Sequence, residues 1–237
     1  MASSALPNVR PRVLVNFASS LDGKINPAPA QRPARFMMSR DREDFRRMVA
    51  LRARADAIVI GASNLRLDNP DLSIPVDERA ARRARAEAEP MRIVVTSAGA
   101  GLTPELRMFD PARGGPSVIA HAGRMPTETR ARFAPVAELV EFGADAVPMD
   151  ALLSWLAARG VRTLLCEGGG DLCAQLFGAR AVDELYLTLV PRVLGGLLAP
   201  TMVGGPGFAP DAIPDPKLGS LEHVGDELFL RYDFVWP

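Results

Sequence analysis

The chain has 237 residues, 48% of them hydrophobic, and its 28 basic and 28 acidic side chains balance. That composition supports a sizeable core, and the zero net charge excludes any global attraction to nucleic acid or an anionic membrane. No window approaches the ~18 apolar residues of a membrane-spanning helix. The start, MASSALPNVRPRVLVNF, lacks the basic and apolar regions of a secretory signal, so the chain reads as soluble and cytoplasmic.

Residues 1–8 form a short N-terminal extension, and RVLVNFA (12–18) is the first strand. SSLDGKINPAPAQRPARF follows as an irregular loop punctuated by glycine and prolines. Ser39 then caps a helix over 40–54, with Phe45, Met48, Val49 and Arg52 at neighbouring helical positions. DAIVIGAS (56–63) is a buried strand ending at Gly61, and Asp68-Asn69-Pro70 a rigid turn. Residues 77–89 are charged and alanine-rich, a solvated helix or a mobile excursion.

Further strands are expected over 91–99, 117–121 and 137–143, with a short helix over 127–135. MDALLSWLAARG (149–160) has the acidic start and closing glycine of a helix. A strand then runs into Glu167-Gly168-Gly169-Gly170, followed by a helix. VDELYLTLVPRVLGG (182–196) and ELFLRYDFVW (227–236) are late strands, expected to pair antiparallel at the sheet edge. Alternating strands and helices predict an α/β fold whose sheet is covered on both faces, mixed but mostly parallel, within a single domain over 9–237.

Cys166 and Cys173 lie outside any C-x-x-C pattern and His121 and His223 are isolated, so ligand supply argues against a metal site. Lys24 and Lys217 are the only lysines among the 28 basic residues, which marks Lys24 as a place where an ammonium is required. A glycine run between a strand and a helix lets backbone N–H groups approach a phosphate, aided by the helix dipole. It matches neither G-x-G-x-x-G nor the Walker pattern. A plain turn is the competing explanation, for the glycines as for Asp22-Gly23 and Asp68-Asn69-Pro70.

Taken together, SSLDGKI, LRARADAIVIGASNLRLDNPDL, MRIVVTS, LLCEGGGDL and VDELYLTLVPRVLGG occur in the order and spacing of the riboflavin-biosynthesis pyrimidine reductases, which the chain resembles from Val13 onward. The resemblance implies a dihydrofolate reductase-like fold, a homodimer, and NADPH-dependent reduction of a ribosylaminopyrimidine 5′-phosphate at C1′ of its ring-opened imine. By the same resemblance Asn64, Asp68, Ser97, Gly168, Gly169, Gly170, Asp171 and Leu172 bind NADPH. Lys24 and Glu167 are implied as catalytic residues contacting the substrate, Arg52 as the holder of its phosphate and Leu72 as a wall.

Three positions depart from the family: Thr96 stands where Asp is common, Asn64 where Thr is usual, and Pro75 where bacterial members often carry a basic residue. The last shifts phosphate binding toward Arg52 or Arg35. For the cofactor's 2′-phosphate, Arg92, Ser97 and the arginines of 107–113 are the candidates. No zinc-deaminase signature is present, and the substrate could be the diaminopyrimidinone or the aminouracil. Alternatives are an NADPH-dependent reductase of another pterin-like or heterocyclic substrate, or a catalytically silent nucleotide-binding protein.

Overall fold

The computed structural model describes residues 10–28 and 42–236. The elements run β1 (Arg12–Ser20), α1 (Glu43–Arg54), β2 (Ala57–Gly61), α2 (Ala62–Asp68), α3 (Val76–Ala84), β3 (Met91–Thr96), β4 (Ser117–His121), α4 (Thr127–Phe133) and β5 (Glu138–Glu141). They continue with α5 (Met149–Ala158), β6 (Thr163–Cys166), α6 (Gly170–Gly178), β7 (Glu184–Val190), β8 (Lys217–Val224) and β9 (Glu227–Asp233). Ser39 and Arg35 lie outside the described residues.

The strands form one sheet in the order β5-β4-β3-β2-β6-β1-β7-β9-β8. From β5 to β7 every pairing is parallel, and β9 and β8 close the sheet antiparallel to β7. The central strands are apolar on both sides, as a sheet sandwiched between helices demands. One face packs Val13, Val15, Val59 and Leu164 against Leu152, Leu153 and Leu156 of α5 and Leu172, Leu176 and Phe177 of α6. The other packs Leu14, Ile58, Ile60 and Leu165 against Leu51 of α1, Leu65 of α2 and Phe133 of α4. The fold is therefore α/β, mixed and mostly parallel, with helices on both faces.

Several local expectations change. Residues 62–68, for which no helix was expected, form the helix α2, whose end is the left-handed Asn69 at φ 45°. Within 77–89 the chain is helical as α3, and its Arg82 is buried, donating to the carbonyls of Ala55, Ala88 and Ala53. α1 begins after Arg42 and buries Leu51 and Arg52, leaving Phe45 partly exposed. β8, absent from the sequence reading, is exposed along its whole length.

Candidate active site

Because β1, β2, β3 and β6 run parallel, their carboxyl ends share one end of the sheet, where α/β folds place their ligands. A cleft of about 1040 Å³ opens there. Lys24 follows β1; Asn64, Arg66 and Asp68 come from α2; Thr96 and Ser97 end β3; Gly169, Gly170, Asp171 and Leu172 follow β6. The 197–201 segment completes the wall.

The glycine run has a packing reason at each position. Gly168 sits at φ 85°, a conformation that L side chains rarely adopt, and its carbonyl accepts the Gly61 N–H at 2.7 Å. A β-carbon on Gly169 would lie 2.5 Å from Asn64 Oδ1, and one on Gly170 would lie 2.5 Å from the Thr201 carbonyl oxygen. The Gly168–Gly169 peptide is cis. α6 starts here with no side chain capping its first turn. Gly170→Ala is expected to cost roughly 1–3 kcal/mol through overpacking against main chain that cannot swing aside. Thermal unfolding of the variant checks this, and Gly169→Ala should cost less because Asn64 can move.

Lys24, Asn64, Asp68, Ser97, Gly169, Gly170, Asp171 and Leu172 thus line one cleft, with Gly168 directly behind it. Three expected site residues do not. Leu72 is buried in the core beside Leu65 and Leu102, although its backbone holds φ 53°. Arg52 and Glu167, both expected on the substrate, are bound to each other. Arg52 Nε donates to Glu167 Oε1 at 2.6 Å, and its Nη2 donates to Oε2 at 2.7 Å.

This fork-to-fork pair has side-chain exposures of 6% and 9%, and Arg52 Nη1 adds a bond to the Ser73 carbonyl at 3.1 Å. Burial opposes the Arg52 charge, but the Glu167 carboxylate outweighs it and the guanidinium is pushed up from its ordinary value. Beside the pair, burial raises the Asp44 carboxyl, against the hydrogen bond it accepts from Thr188 Oγ1 at 2.6 Å and with the Glu167 charge adding to the rise. These contacts brace α1 against the residue that follows β6 and against β7.

Of the 2′-phosphate candidates Ser97 lines the cleft, and the arginines fall elsewhere. Arg92 is fully buried and donates to main-chain carbonyls, including Gly115 at 2.8 Å. Arg107 and Arg113 pair with Asp71 and Asp110. Sequence reasoning missed Arg66, which lines the cleft near Ser97, Ala98 and Ala100. Its guanidinium donates to the Ala100 carbonyl at 2.8 Å and to Ser63 Oγ at 3.2 Å. The Ser63–Arg66 spacing of three was the signal, legible once α2 is taken as a helix.

Thr96 Oγ1 accepts the Gly99 N–H at 2.9 Å, so it shapes the turn after β3. Pro75 caps the start of α3. Cys166 and Cys173 are buried free thiols with Sγ atoms 3.7 Å apart. Among the described residues no helix is long and apolar enough to cross a membrane.

A family model described as the RibD C-terminal domain matches residues 11–230. The 2,5-diamino-6-ribosylamino-4(3H)-pyrimidinone 5′-phosphate reductase of Archaeoglobus fulgidus is 34% identical over 221 residues, covering 92% of this chain and 95% of that protein. The chain belongs to the riboflavin-biosynthesis pyrimidine reductases. A protein of the same name from Aquifex aeolicus is 31% identical over 227 residues, 95% of this reductase and 92% of that protein. Among solved structures, a pyrimidine reductase-like protein from Corynebacterium diphtheriae superposes with a TM-score of 0.79 at 19% identity, over 99% of this chain and 97% of that one. The Thermotoga maritima deaminase/reductase gives 0.76 at 18% identity, over 95% of this chain and 57% of that one. These structural likenesses show the fold. The reductase is an oxidoreductase of the riboflavin pathway, and a nicotinamide cofactor fits its family.

Proposed function

We propose that the reductase uses NADPH to convert the ribosylamino side chain of 2,5-diamino-6-ribosylamino-4(3H)-pyrimidinone 5′-phosphate to ribitylamino, acting before deamination. The observation that carries this is the near-full-length identity to relatives bearing that substrate in their names, 34% and 31%. We place residues 9–237 in one reductase domain that works as a cytoplasmic homodimer. The exposed β8 edge with Leu218, Leu221 and Val224 supports the pairing.

The cleft fits a dinucleotide. Its ~1040 Å³ is at the upper end for small-molecule sites. Gly170 leaves no room for a β-carbon, and the first turn of α6, capped by no side chain, suits a diphosphate. Gly169, Gly170, Asp171 and Leu172 would line it, with Gly168 shaping the turn and Asn64 packed against the glycines. Asp68 and Ser97 would lie along the cofactor. At the Ser97 end Arg66 supplies the fixed positive charge that a 2′-phosphomonoester requires and a bare hydroxyl does not.

Hydride is the cofactor's contribution, delivered at C1′ of the ring-opened imine. The protein's part is alignment and proton handling at the imine nitrogen. Lys24 is the cation that β1 brings to the other end of the cleft. Its Nζ, with three donors, orients the open-chain sugar and gives a proton to the imine nitrogen as the carbon accepts hydride. Glu167 takes no direct contact in this reading. It holds Arg52 and fixes the turn from which the glycines start.

The test is NADPH and NADH oxidation with the diaminopyrimidinone and, separately, the aminouracil substrate, by the wild-type protein and Arg66→Gln. Turnover of the diaminopyrimidinone with NADPH is expected, and loss of Arg66 should cut the NADPH-over-NADH preference in kcat/KM about tenfold or more. Calorimetry with 2′,5′-ADP against 5′-AMP checks the same contact without turnover. Exclusive use of the aminouracil would overturn the order, and no oxidation with either would overturn the function. An unchanged cofactor preference would remove Arg66 from the 2′-phosphate.

A further inference from the structure

The Asp22-Gly23-Lys24 turn is tied to the far wall of the cleft by a chain of hydrogen bonds. The Lys24 N–H donates to Ser20 Oγ at 2.9 Å, and the Ser20 hydroxyl donates to Asp22 Oδ1 at 2.6 Å. The same Oδ1 accepts the Leu194 N–H at 3.0 Å, while Oδ2 accepts the Gly195 N–H at 2.7 Å. One exposed carboxylate therefore joins two segments 172 residues apart.

Main-chain bonds flank it on both sides. The Leu21 N–H reaches the Arg192 carbonyl at 2.8 Å, and the Ile25 N–H reaches the Pro200 carbonyl at 2.9 Å. Lys24 forms a bridge with Thr201. Between these ties the chain turns at Gly195 and Gly196, both with positive φ, and the Ala199 N–H closes on the Gly196 carbonyl at 3.2 Å. That turn holds Leu197 and Leu198 at the cleft wall with exposures of 97% and 86%. Two leucines in water at the rim of the cleft are poised to cover whatever enters it.

We propose that Asp22 is a positioning residue: its carboxylate sets the register between Lys24 and the 194–198 turn, so that the ammonium and the apolar cover meet the substrate together. Three charge-assisted acceptor bonds hold the carboxyl itself down to about 2, the Ser20 hydroxyl contributing most and the Leu194 amide next. The clamp is thus ionised at neutral pH. The role rests on the assignment of Lys24 to the substrate. It does not rest on the roles given to the glycine run or to Arg66.

The experiment compares wild type, Asp22→Asn, Asp22→Ala and Ser20→Ala by steady-state kinetics and by amide hydrogen exchange. Asn keeps one accepting oxygen and replaces the other with a donor, so it should fall between wild type and Ala. In Asp22→Ala, kcat for the diaminopyrimidinone should drop about a hundredfold, the scale of an ångström-level misplacement, while the KM for NADPH stays within about twofold. Exchange at Lys24, Leu194 and Gly195 should rise about tenfold, as the loss of a hydrogen bond to a charged group predicts.

Ser20→Ala cuts the link to Lys24 while leaving both loop amides on Asp22. It should raise exchange at Lys24 alone and lower kcat. A wild-type kcat in Asp22→Ala, an equal loss of NADPH affinity, or unchanged exchange at Lys24 and Leu194 would each overturn the proposal. If the wild-type protein turns over neither substrate, the functional reading fails, and the exchange pattern still decides whether the clamp exists.

Discussion

Glu167→Leu is expected to destabilise the reductase by about 3–5 kcal/mol, because it leaves the Arg52 guanidinium buried with its countercharge gone. The Ser73 carbonyl, at 3.1 Å, would be its remaining hydrogen-bond partner. The pair is fork-to-fork, with exposures of 6% and 9%, so water cannot replace the lost carboxylate. Denaturant midpoints measure the effect. Arg52→Met combined with Glu167→Leu should recover most of it, since an apolar pair of similar volume removes the stranded charge. A loss under about 1 kcal/mol in the single variant would mean that solvent reaches the site, and the bracing role would have to be withdrawn.

The second large effect concerns rate. Lys24→Ala should lower kcat by about 10²–10⁴-fold, the range associated with one positioned acid–base group. Binding of the dinucleotide should persist, because the glycine turn and α6 come from β6 while Lys24 follows β1. Lys24→Arg keeps the charge in a wider, planar head and should restore only part of the rate. Stopped-flow hydride transfer and NADPH fluorescence titration separate the two quantities. A Lys24→Ala protein retaining more than about a tenth of the wild-type kcat would take Lys24 out of the chemistry.

The strands most legible in the sequence are those with nothing to hide from solvent. β1, β2, β3 and β6 are near-continuous apolar runs because both of their faces are covered, and that pattern needs no knowledge of partners. β8 was invisible for the converse reason. Its KLGSLEHV is exposed at every position, so burial imposes no alternation on it, and its existence depends on β9 alone. α2 was not legible because its seven residues contain too few apolar positions for a helical period.

For the site, the glycine run and Lys24 were legible since their chemistry is local: a backbone that must lie bare and an ammonium in a chain nearly without lysine. The pairing of Arg52 with Glu167 was not legible, because residue type alone does not say whether a charge meets a ligand or another side chain. Their partnership spans 115 residues and exists only once α1 packs under β6. Leu72 was implied by the resemblance alone, which does not say that its side chain packs beside Leu65 and Leu102.

The strand order carries a consequence for how the reductase is made. β1 leaves the ribosome first, yet it pairs with β6 and β7, whose residues begin at 163 and 184. β2, β3, β4 and β5 can zip together in the order of synthesis, as each pairs with the next. The first strand must wait, unpaired and apolar, until two-thirds of the chain has followed it. Such distant closure slows folding and prolongs the exposure of a sticky strand. The insertion of β6 between β1 and β2 brings the glycine run to the cleft, whose wall is completed by the later residues 197–201. Truncated or slowly translated chains should therefore hold a half-sheet and no active site, and a folding helper that shields residues 12–20 would act on the most vulnerable stretch of the nascent protein.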